Sequence, residues 1–195
     1  MILGLTGLKG SGKDTVAAHL IKEYKFERRA FADKLKQSAA ALFDINPSEF
    51  EKLKNDDTAQ VALGRLSDDM DYLYPFGSSR LISVREFLQR YGTESHRDVF
   101  GENFWVDQVL PRDGYYADRS IVITDCRFIS ESRRIKFLKG YIVRIVRGDS
   151  NQDPHRSELE QFDMEIDYTL NNIGPLEELP KQIDEMMSKL NMRET

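Results

Sequence analysis

Apolar positions in this chain alternate between short unbroken runs and runs spaced three and four residues apart. Residues 1–6, MILGLT, are an apolar run that ends at glycines, the pattern of a strand buried on both faces. Val16, Leu20 and Tyr24, flanked by Ala17 and Ile21, then fall at helical spacing. FERRAFA (26–32) reads as a second strand. DKLKQSAAALF (33–43) reads as a helix with Leu35, Ala39, Leu42 and Phe43 on one face. Residues 44–82 lose this order: they are polar, rich in Asp, Asn and Ser, and carry the loop-like YPFGSS at 74–79. They read as an irregular, mostly helical excursion. Ser83 and Glu86 fit the S-x-x-E capping box, heading a helix with Val84, Phe87, Leu88 and Tyr91 inside and Gly92 as its stop.

The second half resumes the alternation. ENFWVDQVL (102–110) predicts a short helix, SIVITD (120–125) a strand ending in an aspartate, 129–138 a helix, and YIVRIV (141–146) a strand. RGDSNQDPHRSE (147–158) has no periodicity and reads as a mobile loop. DYTLNN (167–172) predicts the last strand. Pro175 opens a helix in which Leu176, Leu179, Ile183, Met186, Met187 and Leu190 recur at helical spacing. Strands alternating with helices imply an α/β fold with a parallel, doubly wound sheet covered on both faces. Such sheets gather ligands at the C-terminal ends of their strands. The glycine loop after the first strand, Asp33, Asp125 and Arg147 all fall at such ends.

Composition narrows the functional classes. The chain has 195 residues, the size of one compact domain, and 40% hydrophobic residues supply an ordinary core. A net charge of −5 argues against a protein that coats nucleic acid, but not against a small polyanionic substrate met by local cations. The single cysteine, Cys126, forms no internal disulfide and suits a reducing compartment. No basic, leader-like segment precedes the first apolar run, and no stretch approaches the roughly 20 apolar residues of a membrane span, so the expectation is a cytoplasmic protein without membrane contact.

The most specific chemistry lies in GLKGSGKDT (7–15), where Gly7, Gly12 and Lys13 match the phosphate-binding loop G-x-x-x-x-G-K-[ST]. Glycines let the backbone curl its N–H groups around an anion, the helix behind adds its positive end, and Lys13 adds a point charge. The usual hydroxyl position holds Asp14, with Thr15 next. Asp125 stands where such proteins aim a carboxylate at magnesium, although a strand-end aspartate also caps helices. Arg127 reads equally as a phosphate contact or as a partner of Asp125. Arg85 and Gln89, one helical turn apart, read as either a solvated face or a substrate contact. Trp105 reads as core or as a base-stacking residue. His155 and Glu158 lie in the aperiodic loop, where a phosphoryl-transfer enzyme would carry a lid.

GLKGSGKDT, LQRYGTESHRDVFGENFWVD, VITDCRF and DYTLNNIGPLEEL occur in an order that resembles the deoxynucleoside monophosphate kinases of bacteriophages, members of the P-loop nucleoside and nucleotide kinases. The resemblance covers most of the chain and is weak through 44–80. It implies a three-layer kinase fold over 1–195 with a five-stranded parallel sheet, a helical acceptor-binding excursion at 44–110 and a lid loop at 147–160. It implies transfer of the γ-phosphoryl group of ATP, with Mg²⁺, to a deoxynucleoside monophosphate. Gly7, Gly10, Ser11, Gly12, Lys13, Asp14, Thr15 and Arg147 would then serve the donor. Asp33, Arg85, Gln89, Gly92, Thr93, Trp105, Asp125, Glu131, His155 and Glu158 would serve the acceptor. Lys13, Arg85, Asp125 and Arg127 would act in catalysis, and Asp14 and Asp125 would serve the metal. The family also implies a homodimer. Two other readings keep the loop: a small-molecule kinase resembling dephospho-CoA or phosphomevalonate kinases, and a nucleotide-binding protein without turnover.

Overall fold

The computed structural model describes residues 1–63, 80–114, 116, 118–148, 160–175 and 177–194. The chain forms two compact units, one of residues 1–32 with 105–195 and one of residues 33–104.

The first unit is built on a five-stranded sheet of β1 (Ile2–Thr6), β2 (Glu27–Arg29), β5 (Ile121–Ile123), β6 (Tyr141–Val146) and β7 (Tyr168–Asn171). Its order is β2-β5-β1-β6-β7, and every pair is parallel. Side chains alternate across the strands and feed two cores, as a sheet buried on both faces requires. Leu3, Leu5, Val122, Val143 and Ile145 face Val16, Ala17 and Leu20 of α1 (Lys13–Tyr24) and Leu179, Ile183, Met186 and Met187 of the C-terminal helix Glu178–Glu194. Ile2, Ile121, Ile123 and Ile142 face Ile135 of the helix Ile129–Phe137 and Val106 and Val109 of the helix Phe104–Val109. Helices on both faces of one parallel sheet make the three-layer α/β fold that the alternating pattern anticipates.

The second unit holds most of α2 (Phe31–Leu42), α3 (Pro47–Lys54), the strands β3 (Gln60–Leu63) and β4 (Arg80–Ser83), α4 (Val84–Gly92), a π-helical turn Thr93–Arg97 and the single turn α5 (Asp98–Phe100). Ala39, Ala40, Phe50, Val61, Ile82, Val84, Phe87 and Leu88 form its core. Counting on, the helices Phe104–Val109, Ile129–Phe137 and Glu178–Glu194 are α6, α7 and α8.

Several boundaries differ from the sequence reading, for identifiable reasons. The second strand stops at Arg29, because Phe31 and Ala32 donate their N–H groups to the Asp125 carboxylate, each at 2.8 Å, and so begin α2 two residues early. The excursion is not mostly helical where β3 and β4 pair antiparallel, Val61 facing Ile82. α4 ends at Gly92, as the sequence reading expects, but without a left-handed glycine cap. Gly92 keeps right-handed angles (φ −72°, ψ −39°), and the chain runs on through the π turn. There the His96 ring bonds the Tyr91 carbonyl at 2.6 Å, and buried Arg97 donates to the Glu102 carbonyl at 3.1 Å. These local bonds hold the π turn that follows the glycine. The capping box is half made, with Ser83 accepting from the Glu86 N–H at 3.1 Å. The loop 149–159 and Leu176 lie outside the described residues.

Candidate active site

β1 runs directly into the glycine loop. Gly7 adopts φ +141°, and a Cβ there would clash with the carbonyl oxygen of Ile145, so only glycine can make this departure from the strand. Gly12 adopts φ +106° as the N-cap of α1, with no side chain capping the helix, and a Cβ there would run into the Asn172 amide. The first-turn N–H groups of α1 thus open onto the loop with the positive end of the helix behind them. Ser11 is 3% exposed, and its Oγ has no hydrogen-bond partner among the described residues. An orphaned buried hydroxyl, positive-φ glycines and an uncapped helix N-terminus together fit a phosphate chain. Lys13 Nζ is held over the loop by the carbonyls of Gly7 at 2.6 Å and Leu8 at 2.8 Å. Asp14 and Thr15 are exposed on the first turn of α1.

Neighbouring strand ends bring further residues of this unit to the same sheet edge. Arg147, just past β6, donates to the Gly10 carbonyl at 3.5 Å, which places its guanidinium on the loop. Asp125, two residues beyond β5, spends one lone pair of each oxygen on the α2 N-terminus. The cap alternative weighed for it is therefore realised, and each oxygen retains a second lone pair. Glu131 is buried, and its carboxylate accepts from the N–H groups of Arg127 at 2.7 Å and Phe128 at 3.0 Å, fixing the chain where Arg127 leaves the strand end. Trp105 is 5% exposed, the burial that the packing alternative expects. Cys126 is fully buried, and burial pushes its thiol pKa well up, away from nucleophilic chemistry.

Within the second unit, Arg85 and Gln89 are half-buried one turn apart on α4, Gly92 and Thr93 follow, and Asp33 lies in the first turn of α2. Glu51 pairs with Lys36 at 2.7 Å and Lys54 at 3.1 Å. Burial opposes ionisation of Glu51, but the bonds from Lys36 and Lys54 outweigh it and hold its pKa low. Burial lowers the pKa of Lys54, and the positive charges of Lys36 and Arg85 lower it further. One carboxylate thus pairs with two cations, and a third, Arg85, acts on Lys54. Sequence reading missed Lys36 and Lys54 because a charged helix face is usually only solvated. It also gave no role to Gln161 and Asn172, whose amides bond the loop from 154 and 161 residues away. His155 and Glu158 lie outside the described residues.

Among the described residues no group of three or more His, Cys, Asp or Glu side chains is placed to hold a metal ion. Magnesium bound through substrate phosphates needs only one or two carboxylates, and Asp14 and Asp125 are of that kind. No described helix is long and apolar enough to cross a membrane.

No family model matches the chain. It is 29% identical to a putative deoxynucleotide monophosphate kinase of Acanthamoeba polyphaga mimivirus, covering 94% of both chains. It is 22% identical to the deoxynucleotide monophosphate kinase of Escherichia phage RB69, covering 95% of this chain and 99% of that one. Among solved structures, shikimate kinase from Aquifex aeolicus aligns over 96% of each chain at 14% identity and a TM-score of 0.43. Shikimate kinase from Bacteroides thetaiotaomicron aligns over 98% of each at 12% identity and a TM-score of 0.40. Over nearly its whole length, then, the chain is a homologue of the viral deoxynucleotide monophosphate kinases, as its motifs anticipate.

Proposed function

We propose that this protein transfers the γ-phosphoryl group of ATP to a deoxynucleoside monophosphate, giving the diphosphate. The observation that carries the reading is the glycine loop between β1 and α1, with its buried Ser11 Oγ unpartnered among the described residues, in a chain whose relatives are named for this reaction. The acceptor oxygen belongs to a phosphate with a second pKa of about 6, already a dianion at neutral pH, so no strong general base is needed. The barrier lies in bringing two polyanions together and holding them in line.

Lys13, already suspended over the loop, exchanges its carbonyl partners for the outer phosphates of the donor. Arg147 reaches the same phosphates from the end of β6. Asp14 and Asp125 are the carboxylates that would hold magnesium or its waters, and the ion would supply neutralisation of the phosphate charge. Arg85 and Arg127 supply positive charge for the acceptor phosphate and the transferring group. Gln89, Thr93 and Asp33 orient the acceptor. Glu131 acts indirectly, by fixing the backbone that carries Arg127.

Arg85→Ala separates this reading from that of a solvated helix face. Loss of an arginine acting on a transferring phosphoryl group costs on the order of 10³-fold in kcat. The variant is expected to lose turnover and acceptor affinity while keeping its affinity for ADP. Wild-type kinetics would place Arg85 outside the reaction.

A further inference from the structure

The glycine loop is held at both ends by side-chain amides that reach it from the last third of the chain. At its start, Gln161 Oε1 accepts from the Gly7 N–H at 3.1 Å and from the Thr6 hydroxyl at 3.4 Å. Gln161 is 2% exposed, and its own carbonyl accepts from Arg144 Nη2 at 2.7 Å, which ties the short 3₁₀ turn Glu160–Asp163 to β6. At the loop's end, Asn172 Nδ2 donates to the Ser11 carbonyl at 2.9 Å. The Asn172 N–H donates in turn to the Val146 carbonyl at 2.7 Å, and its amide packs against Gly12. One amide therefore offers an acceptor where the loop leaves β1, and the other a donor where it enters α1. Both are neutral, so neither places a charge beside a bound polyphosphate, whereas a carboxylate at Gln161 would repel it.

We propose that Gln161 and Asn172 are positioning residues for the nucleotide: they fix the peptides flanking the loop so that its N–H groups stand ready before a phosphate arrives. Glycine-rich backbone otherwise spends binding free energy on its own ordering, and restraint in the free protein removes that cost. This assigns a role to the end of DYTLNN, a stretch the proposed reaction otherwise leaves unused. The inference rests on the reading of the loop as a phosphate site.

The test uses the full chain and two near-isosteric, uncharged variants, Gln161→Met, which removes the acceptor, and Asn172→Leu, which removes the donor. Arg134→Met serves as a stability control. Arg134 is buried, bonds the Leu110 carbonyl and pairs with Asp107 at 2.5 Å, so its loss weakens the same unit without touching the loop. ADP affinity by calorimetry with Mg²⁺, the thermal midpoint without ligand, and kcat and KM for ATP are measured for each protein. Both amide variants are expected to bind ADP about tenfold more weakly, with KM for ATP raised in step. Misplacement of the loop lowers kcat by up to about 10²-fold. Arg134→Met is expected to melt earlier yet bind ADP as the wild type does. Amide variants with wild-type ADP affinity overturn the inference, as do losses no larger than those of the control. If Gln161→Met does not fold, Asn172→Leu decides alone, since it nearly keeps the shape of the side chain and adds no charge. A wild-type protein that binds no ADP would instead refute the phosphate-site reading beneath it.

Discussion

Asp14 occupies the position after the loop lysine, where a hydroxyl ordinarily meets the metal. It is exposed on the first turn of α1, where a carboxylate also favours the helix dipole. The two roles differ in what they leave behind when the side chain is removed. If the carboxylate supports magnesium, Asp14→Ala loses turnover and needs more Mg²⁺ at saturating ATP, and Asp14→Ser, which restores a hydroxyl, keeps more activity than alanine. If it serves only the dipole, alanine costs about 0.3–1 kcal/mol of stability and leaves the magnesium curve in place. The account expects the first pattern; superimposable magnesium titrations of the three proteins would remove Asp14 from the metal site. Glu131 has a sharper structural duty at the same scale. Its buried carboxylate serves two backbone N–H groups, so Glu131→Ala leaves both unpaired and costs about 1–3 kcal/mol or more. Glu131→Gln retains an acceptor and should recover part of that loss. Denaturant unfolding of both variants checks this, and equal stability of alanine and wild type would contradict it.

Among the elements, α8 lies beside α1 on one face of the sheet and is held there by more than its apolar stripe. Asp184 of α8 accepts from His19 Nε2 at 2.8 Å and the Tyr24 hydroxyl at 2.9 Å, both on α1. The His19 bond, then the Tyr24 bond, holds the Asp184 pKa below the ordinary carboxylate value. A folded pKa below the unfolded one means stabilisation that is present above the unfolded pKa and is lost as pH falls through the folded one. Asp184→Asn is therefore expected to cost less than about 1 kcal/mol at neutral pH, because the pair is largely solvated, and nothing once both states are protonated. Unfolding measured at neutral and at acid pH tests the sign; an acid-side loss as large as the neutral one would contradict it. β1, β6 and α8 were legible in the sequence because their side chains enter dry cores and so must repeat with the period of the element. The pairing of β3 with β4 was not, because Gln60 and Arg80 sit in a polar stretch and a hairpin takes its register from the partner strand. The early start of α2 was equally hidden, since its cap, Asp125, comes from the end of a different strand.

For the whole molecule, charge and chain distance set what could be read. A net charge of −5 is unpromising for a protein that must gather two polyanions, and the resolution is local. Lys13, Arg127 and Arg147 belong to the unit that carries the loop, and Lys36, Lys54 and Arg85 to the other. The loop was legible because its chemistry is written in consecutive residues. Gln161 and Asn172 were not, because their effect exists only when β6 and β7 bring them back to residues near the N-terminus. The central claim is that these parts together move a phosphoryl group from ATP to a deoxynucleoside monophosphate. Its most direct test is ADP release by the purified chain with ATP and Mg²⁺, each deoxynucleoside and ribonucleoside monophosphate being offered in turn. The account predicts turnover with at least one deoxynucleoside monophosphate, abolished by Lys13→Met. Turnover with none of them, while an unrelated metabolite is phosphorylated or ATP is bound without reaction, would contradict it.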